Sequence, residues 1–263
     1  MKLSEQLSVI QSFIIFENNK ARLDLLSSDA GLKKTAEILN DCHFYVNYKT
    51  KIYLNEVSSL YYENIENVTM YNNLDGEDFH WPGLMLQLIR ESSTPYVMLV
   101  AEDRMFTNTT RDYFHCLMKD FVDKDIHYMA IGKLFNYTSG SKYEDITKVP
   151  HIFSDYEDGG EYFWLYKAKN SINKSFSADA IYKRELIIEK LEDLLKNYHQ
   201  KMSYRGYPQN MPHYFEDYYT DRYGNGIKKC GDMLCAVPKK EIIVSDETPG
   251  FKETFSDVKV RNY

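Results

Sequence analysis

The sequence predicts an α/β fold, a single domain built on a mostly parallel central sheet with helices on both faces. Within the first 135 residues, five short β-rich stretches alternate with segments of helical period. Stretches such as YVMLV are continuously apolar, as expected for strands buried on both faces. Apolar residues make up 43% of the 263-residue chain, enough for one large core.

In order, SFIIF (12–16) is the first predicted strand, followed by a helical stretch over 22–39 that Gly31 interrupts. HFYVNY (43–48) is the second strand, and LNEVSSLYYENI (54–65) an amphipathic helix. NVTMYN (67–72) is the third strand. A helix over 81–93 then opens with Pro82 in its first turn. The fourth strand, 96–100, leads through a helix over 111–122 to a fifth at 127–135. From 136 to 173 the periodicity dissolves into Gly, Ser, Asp, Tyr and Trp, the composition of a long functional segment. A strand over 177–182, a helix to about 198, a short helix in HYFEDYYTDRY and two late strands in DMLCAVPKKEIIV complete the chain. The natural division is 1–135 as one half and 136–263 as the other, within one continuous domain.

The net charge of −7 argues against a nucleic-acid partner. Glu5 and Gln6 precede any apolar run, so no secretory signal is expected. No stretch reaches the roughly 18 apolar residues of a membrane span. Four scattered cysteines suit reduced thiols, and a cytoplasmic location follows as the expectation. A peripheral membrane contact is kept as an alternative, without a strongly basic amphipathic face to carry it.

Parallel sheets bind ligands outside the carboxyl ends of their strands. At that edge the fourth strand runs straight into Glu102 and Asp103. Two adjacent carboxylates there are a seat for Mg²⁺ or Mn²⁺ carrying a diphosphate, because hard cations take oxygen ligands. The plain alternative is a solvated strand end. Other α/β sites lack their motifs. FENNKARLD after the first strand has no glycine for a dinucleotide loop, and neither a P-loop nor a G-x-S-x-G elbow occurs.

With these parts in this order, the chain resembles nucleotide-sugar-dependent glycosyltransferases of the GT-A fold, in particular the inverting family 2. SFIIFENNKARLDLL is similar to that family's first strand and base-binding loop. PGLMLQLIRESSTPYVMLVAEDRMF is similar to its helix, fourth strand and acidic metal motif, and the Glu216-Asp217 pair in PHYFEDYY to its catalytic-base motif. The likeness spans about residues 10 to 240 and departs where Ala101 and Arg104 flank only two acids.

The resemblance implies transfer of a sugar from a nucleotide diphosphate sugar to a glycan, lipid-linked sugar or protein acceptor, with inversion. It implies Asp103 as metal ligand with Glu102 beside it at the diphosphate, and His151 as a further ligand from a late loop. It implies Asp217 as general base with Glu216 in reserve. Glu17, Asn47, Lys49 and Asn72 fall where the nucleotide is held. Arg104 is placed to balance diphosphate charge, and Trp164 in EYFWLYK suits either an acceptor-sugar platform or core packing. The alternatives are a catalytically degenerate nucleotide-sugar-binding protein of the same fold and a sugar-phosphate nucleotidyltransferase.

Overall fold

The computed structural model describes residues 1–14, 34–49, 65–72, 80–101, 104–106, 109–131, 156–170, 176–197, 202, 206, 212–219, 227–240 and 242–245. The strands are β1 (Leu7–Ile14), β2 (His43–Lys49), β3 (Asn67–Asn72), β4 (Tyr96–Ala101), β5 (Arg104–Phe106), β6 (Tyr128–Ala130), β7 (Tyr156–Asp158), β8 (Phe163–Lys167), β9 (Ala180–Lys183), β10 (Leu234–Pro238) and β11 (Ile243–Ser245). The helices are α1 (Lys34–Leu39), α2 (Trp81–Glu91), α3 (Arg111–Asp123), α4 (Arg184–Lys196) and α5 (Pro212–Tyr218).

Among the described residues nine strands form one sheet in the order β3-β2-β1-β4-β9-β6-β10-β8-β7, and β5 pairs with β11 in a second, two-stranded ribbon. β3, β2, β1 and β4 are parallel neighbours. β9 then enters antiparallel between β4 and β6, and β8 runs antiparallel between β10 and β7. The sheet is therefore mostly but not strictly parallel, with β8 and β9 against the common direction.

Side-chain alternation explains the two covered faces. On β4, Tyr96, Met98 and Val100 pack with Leu7 and Val9 of β1 and Phe44 and Val46 of β2 on one side. α1 and α3 close that side through Ile38, Leu39, Phe114, Leu117 and Phe121. Val97 and Leu99 face the other side with Ile10 and Tyr45, beneath α2, α4 and α5. Burying each such side chain contributes about 1.5–3 kcal/mol, so the sheet centre is the most stabilised part of the fold.

Local chemistry sets the helix ends. The Thr110 side chain accepts the Tyr113 N–H at 3.2 Å and caps α3. At α2, His80 plays that part: its Nδ1 accepts the Gly83 N–H, with Pro82 in the first turn. α3 stops where Asp125 takes φ 54°, letting the Ile126 N–H return to the Phe121 carbonyl.

Several expected boundaries move. The first strand begins at Leu7, not Ser12, because Ser8, Gln11 and Ser12 are buried polar residues that hide its apolar pattern. The strand expected from Ser177 begins at Ala180, since residues 177–179 form a turn with bonds of its own. Of the helix expected over 22–39, residues 34–39 are α1 and 22–33 lie outside the described residues, as does all but the last residue of the helix expected over 54–65. Cys42 and Cys235 are buried, and burial pushes both thiols well up; Cys116, on α3, is exposed.

Candidate active site

The carboxyl ends of the parallel strands meet along one row. Ala101 of β4 pairs with Ser12 of β1, Ser12 with Asn47 of β2, and Asn47 with Tyr71 of β3. Lys49 lies two residues beyond this row and Asn72 one, so both stand on the same edge as the end of β4. Glu102 and Asp103 fall in sequence between β4 and β5 and lie outside the described residues, as do Glu17 and His151. Among the described residues no group of His, Cys, Asp and Glu could hold a metal ion.

The turn before β9 reaches this edge from the other half of the chain. Because β9 is antiparallel and Leu99 pairs with Ala180, Asp179 arrives beside the end of β4. Its Oδ1 accepts the Ala101 N–H at 3.1 Å, and its Oδ2 meets Nε of Arg104 at 2.7 Å. Asp179 thus binds the residue before the acidic pair and the residue after it. Asp179 as a whole is 7% exposed, a depth at which a charge needs a partner of this kind.

Ser177 is fixed on every side. Its N–H donates to the Tyr128 hydroxyl at 3.0 Å, and its carbonyl accepts from the Tyr182 hydroxyl at 2.5 Å. Both tyrosines are fully buried, and burial raises their phenol pKa values far above the ordinary range, so they stay protonated. The Ser177 hydroxyl accepts the Asp179 N–H at 3.1 Å and lies 3.4 Å from Oε1 of Glu216. That same Oε1 accepts the Ala178 N–H at 3.0 Å.

Glu216 and Asp217 sit on α5, which aromatic contacts hold in place. Phe215 meets Trp81 of α2 at 5.7 Å between ring centroids, and Phe176 lies 5.5 Å from Tyr219 just past the helix. The Tyr219 hydroxyl reaches back to α4, to the Lys190 carbonyl and to Oδ2 of Asp193. Glu216 faces the 177–179 turn and is half-buried, whereas Asp217 is fully buried. The structure therefore brings the Glu216-Asp217 pair and the flanks of the Glu102-Asp103 pair to a common turn.

Asp179 is the residue that sequence reasoning missed. Its signal was the small, polar Ser-Ala-Asp run immediately before an apolar strand, which marks a turn but does not say where the turn lands. Trp164 lies on β8, three strands from β9, and Nζ of Lys239 stands 4.2 Å from the ring centroid, so a cation covers one aromatic face.

No protein-family model matches the sequence, and no curated protein matches it. Among solved structures the chain is similar to S. aureus TarS 1-349 in complex with UDP, with a TM-score of 0.56 and 14% identity over 91% of this chain and 60% of that one. It is also similar to TarS 1-349 in complex with UDP-GlcNAc, with a TM-score of 0.52 and 14% identity over 97% and 62%. The fold is GT-A. At this identity the likeness is one of architecture, and the chain spans about 60% of the length of the TarS structure it matches. The GT-A architecture accounts for the row of parallel strand ends. Among the described residues no helix is long and apolar enough to cross a membrane.

Proposed function

We propose that this protein is an inverting glycosyltransferase that uses a nucleotide diphosphate sugar as donor and a glycan, lipid-linked sugar or protein as acceptor. One arrangement carries the reading. On a GT-A sheet, the end of β4 and the Glu216-Asp217 pair are tied to the same turn, Ser177 to Asp179. A displacement at an anomeric carbon needs charge stabilisation on the leaving-group side and a proton acceptor on the other, and both are carboxylate roles.

In this reading the nucleotide lies along the strand ends at Asn47, Lys49 and Asn72, with Glu17, which follows β1 in sequence. Glu102 and Asp103 offer only hard oxygen donors, which suits Mn²⁺ or Mg²⁺, and His151 would add a further ligand. Such an ion, when bound, neutralises charge on the departing diphosphate. Arg104 adds a fixed positive charge next to that pair. Asp217 takes the proton from the acceptor hydroxyl as its oxygen bonds to the anomeric carbon and the bond to the diphosphate oxygen breaks. Glu216, bound to the Ala178 N–H, holds α5 against the turn.

The test is a thermal-shift titration with UDP, GDP, CDP and dTDP, each with and without Mn²⁺. A ligand at 100-fold over its Kd adds about 2.7 kcal/mol to stability, a readily measured shift. The expected result is a shift with one nucleotide that grows with Mn²⁺ and disappears in Asp103→Ala. No shift with any of the four overturns the donor site.

A further inference from the structure

We propose that Tyr128 and Tyr182 are positioning residues for helix α5, holding through their hydroxyls the turn against which the Glu216-Asp217 pair is seated. The inference rests on the glycosyltransferase reading, with Asp217 as base, and deepens it.

Three relations carry it. First, the two phenols take both backbone polar groups of one residue. Ser177 donates its N–H to the Tyr128 hydroxyl at 3.0 Å, and its carbonyl accepts the Tyr182 O–H at 2.5 Å. Second, the phenols are themselves immobile. Tyr128 of β6 and Tyr182 of β9 pair directly across the sheet, both fully buried, with ring centroids 5.0 Å apart. Third, the residues on either side of Ser177 are the ones that touch α5. Phe176 stands 6.5 Å from Phe215 of α5 and 5.5 Å from Tyr219 just past it, between ring centroids. The Ala178 N–H donates to Oε1 of Glu216 at 3.0 Å. The residue that the phenols hold thus lies between two contact points of the helix.

α5 has seven residues, and a helix that short takes its place from tertiary contacts rather than from its own stability. A general base works only within hydrogen-bond reach of the proton it takes, and a displacement of about 1 Å can cost on the order of 100-fold in rate. The other end of the turn is secured separately. The Ile131 N–H donates to the Asp179 carbonyl at 3.2 Å, and the next residue, Ala180, pairs with Leu99 of β4. Loss of a phenol hydroxyl therefore falls on the α5 side of the turn and spares the strand ends where the nucleotide lies.

The experiment compares the full wild-type chain with Tyr128→Phe, Tyr182→Phe, Glu216→Ala and the double variant of the last two. Tyr45→Phe is the control, because its buried hydroxyl donates to the Glu91 carbonyl at 3.3 Å and does not touch the turn. Each protein is melted and titrated calorimetrically with UDP, GDP, CDP and dTDP in Mn²⁺. Turnover is the release of nucleoside diphosphate from the glucose, galactose, mannose and N-acetylhexosamine esters of the nucleotide that binds, with water as acceptor. There a water oxygen bonds to the anomeric carbon as the bond to the diphosphate oxygen breaks, and the Asp217 carboxylate takes the water proton.

The expected result is turnover lowered about tenfold or more in each phenylalanine variant, with nucleotide affinity within about twofold of wild type. Glu216→Ala should lose as much, and the double variant should be no slower than the slower single one, because both break one connection. Tyr45→Phe should melt lower with turnover unchanged. Turnover within about twofold of wild type in either phenylalanine variant overturns the proposal, as do additive losses in the double variant. An equal loss in Tyr45→Phe marks general loosening and overturns it too, and so does affinity that falls in step with turnover. Should one phenylalanine variant fail to fold, the other reads the same residue; failure of both makes the phenols purely structural. A wild type that binds a nucleotide but releases none from its esters removes the base and this inference, while the donor site stands. A wild type that binds none of the four removes the donor-site reading as well.

Discussion

Glu216 accepts the backbone N–H of Ala178 at 3.0 Å, joining helix α5 to the turn whose next residue, Asp179, grips the end of β4. The bond gives the two adjacent acids on α5 different work. Replacing Asp217 with Asn is expected to lower turnover about 100- to 10,000-fold, the usual worth of a positioned general base, while nucleotide affinity stays near wild type. Replacing Glu216 with Gln keeps an oxygen for the Ala178 N–H and should cost no more than about tenfold in turnover. Turnover and nucleotide titration on the two variants check this. Equal losses in both would make the pair one structural unit.

His80 closes the first turn of α2 by accepting the Gly83 N–H on Nδ1, which requires an unprotonated nitrogen. Burial lowers the pKa of His80, as it does for His43 and His127, where Lys183 adds repulsion. All three lie below the ordinary histidine value of 6.5, so the unfolded chain takes up protons first as pH falls. Stability is therefore full above pH 6.5 and is lost as pH drops through the lowered folded values. Melting temperatures from pH 7.5 to 5 should fall accordingly. His80→Asn caps equally well and does not titrate, so its acid-side fall should be shallower.

Phe121 of α3 packs edge-on against Tyr96 of β4 at 5.4 Å and against Phe163 of β8 at 6.5 Å, and is wholly buried. One ring thus ties the parallel half of the sheet to its antiparallel border. Phe121→Ala should cost about 3–5 kcal/mol, read by urea unfolding, with the slope unchanged.

Gly159 lies in the β7–β8 hairpin, where its N–H donates to the Phe163 carbonyl at 3.1 Å. A Cβ there would fall 2.7 Å from that carbonyl oxygen and 2.8 Å from Cγ of Leu165. Backbone cannot give way as a flexible side chain can. Gly159→Ala is expected to destabilise by about 1–3 kcal/mol, visible as a lower urea midpoint.

Legibility in the sequence followed the range of the interactions. β3 spans its predicted residues and β2 runs one residue further, because the β-branched and aromatic side chains in both suit an extended, pleated backbone without outside help. α2 and α3 were equally plain, with apolar faces and residues that mark their starts. The start of β1 was hidden because Ser8, Gln11 and Ser12 are polar although buried, with Ser8 met by the Thr94 hydroxyl at 2.9 Å. β9 could be read as a strand, but its insertion between β4 and β6 could not, and that insertion carries Asp179 to Ala101 and Arg104. The acid pair on α5 was visible as a motif. Its union with the strand end depends on residues 78 and 38 apart in sequence, beyond any spacing rule.

The interleaved strand order also sets a timetable for synthesis. β4 and β6 are made early, yet the place between them stays empty until residue 183 has been translated, and the partner of β5 is not supplied until Ser245. Until then the nascent chain carries two open strand edges flanking unpaired, strongly apolar segments, the kind of surface that recruits chaperones or self-associates. The strand that follows β4 thus acquires its partner last. A ribosome stalled anywhere before Ile243 would hold a chain with most of its sheet and β5 still unpaired, so competence would arrive late in translation rather than growing with chain length.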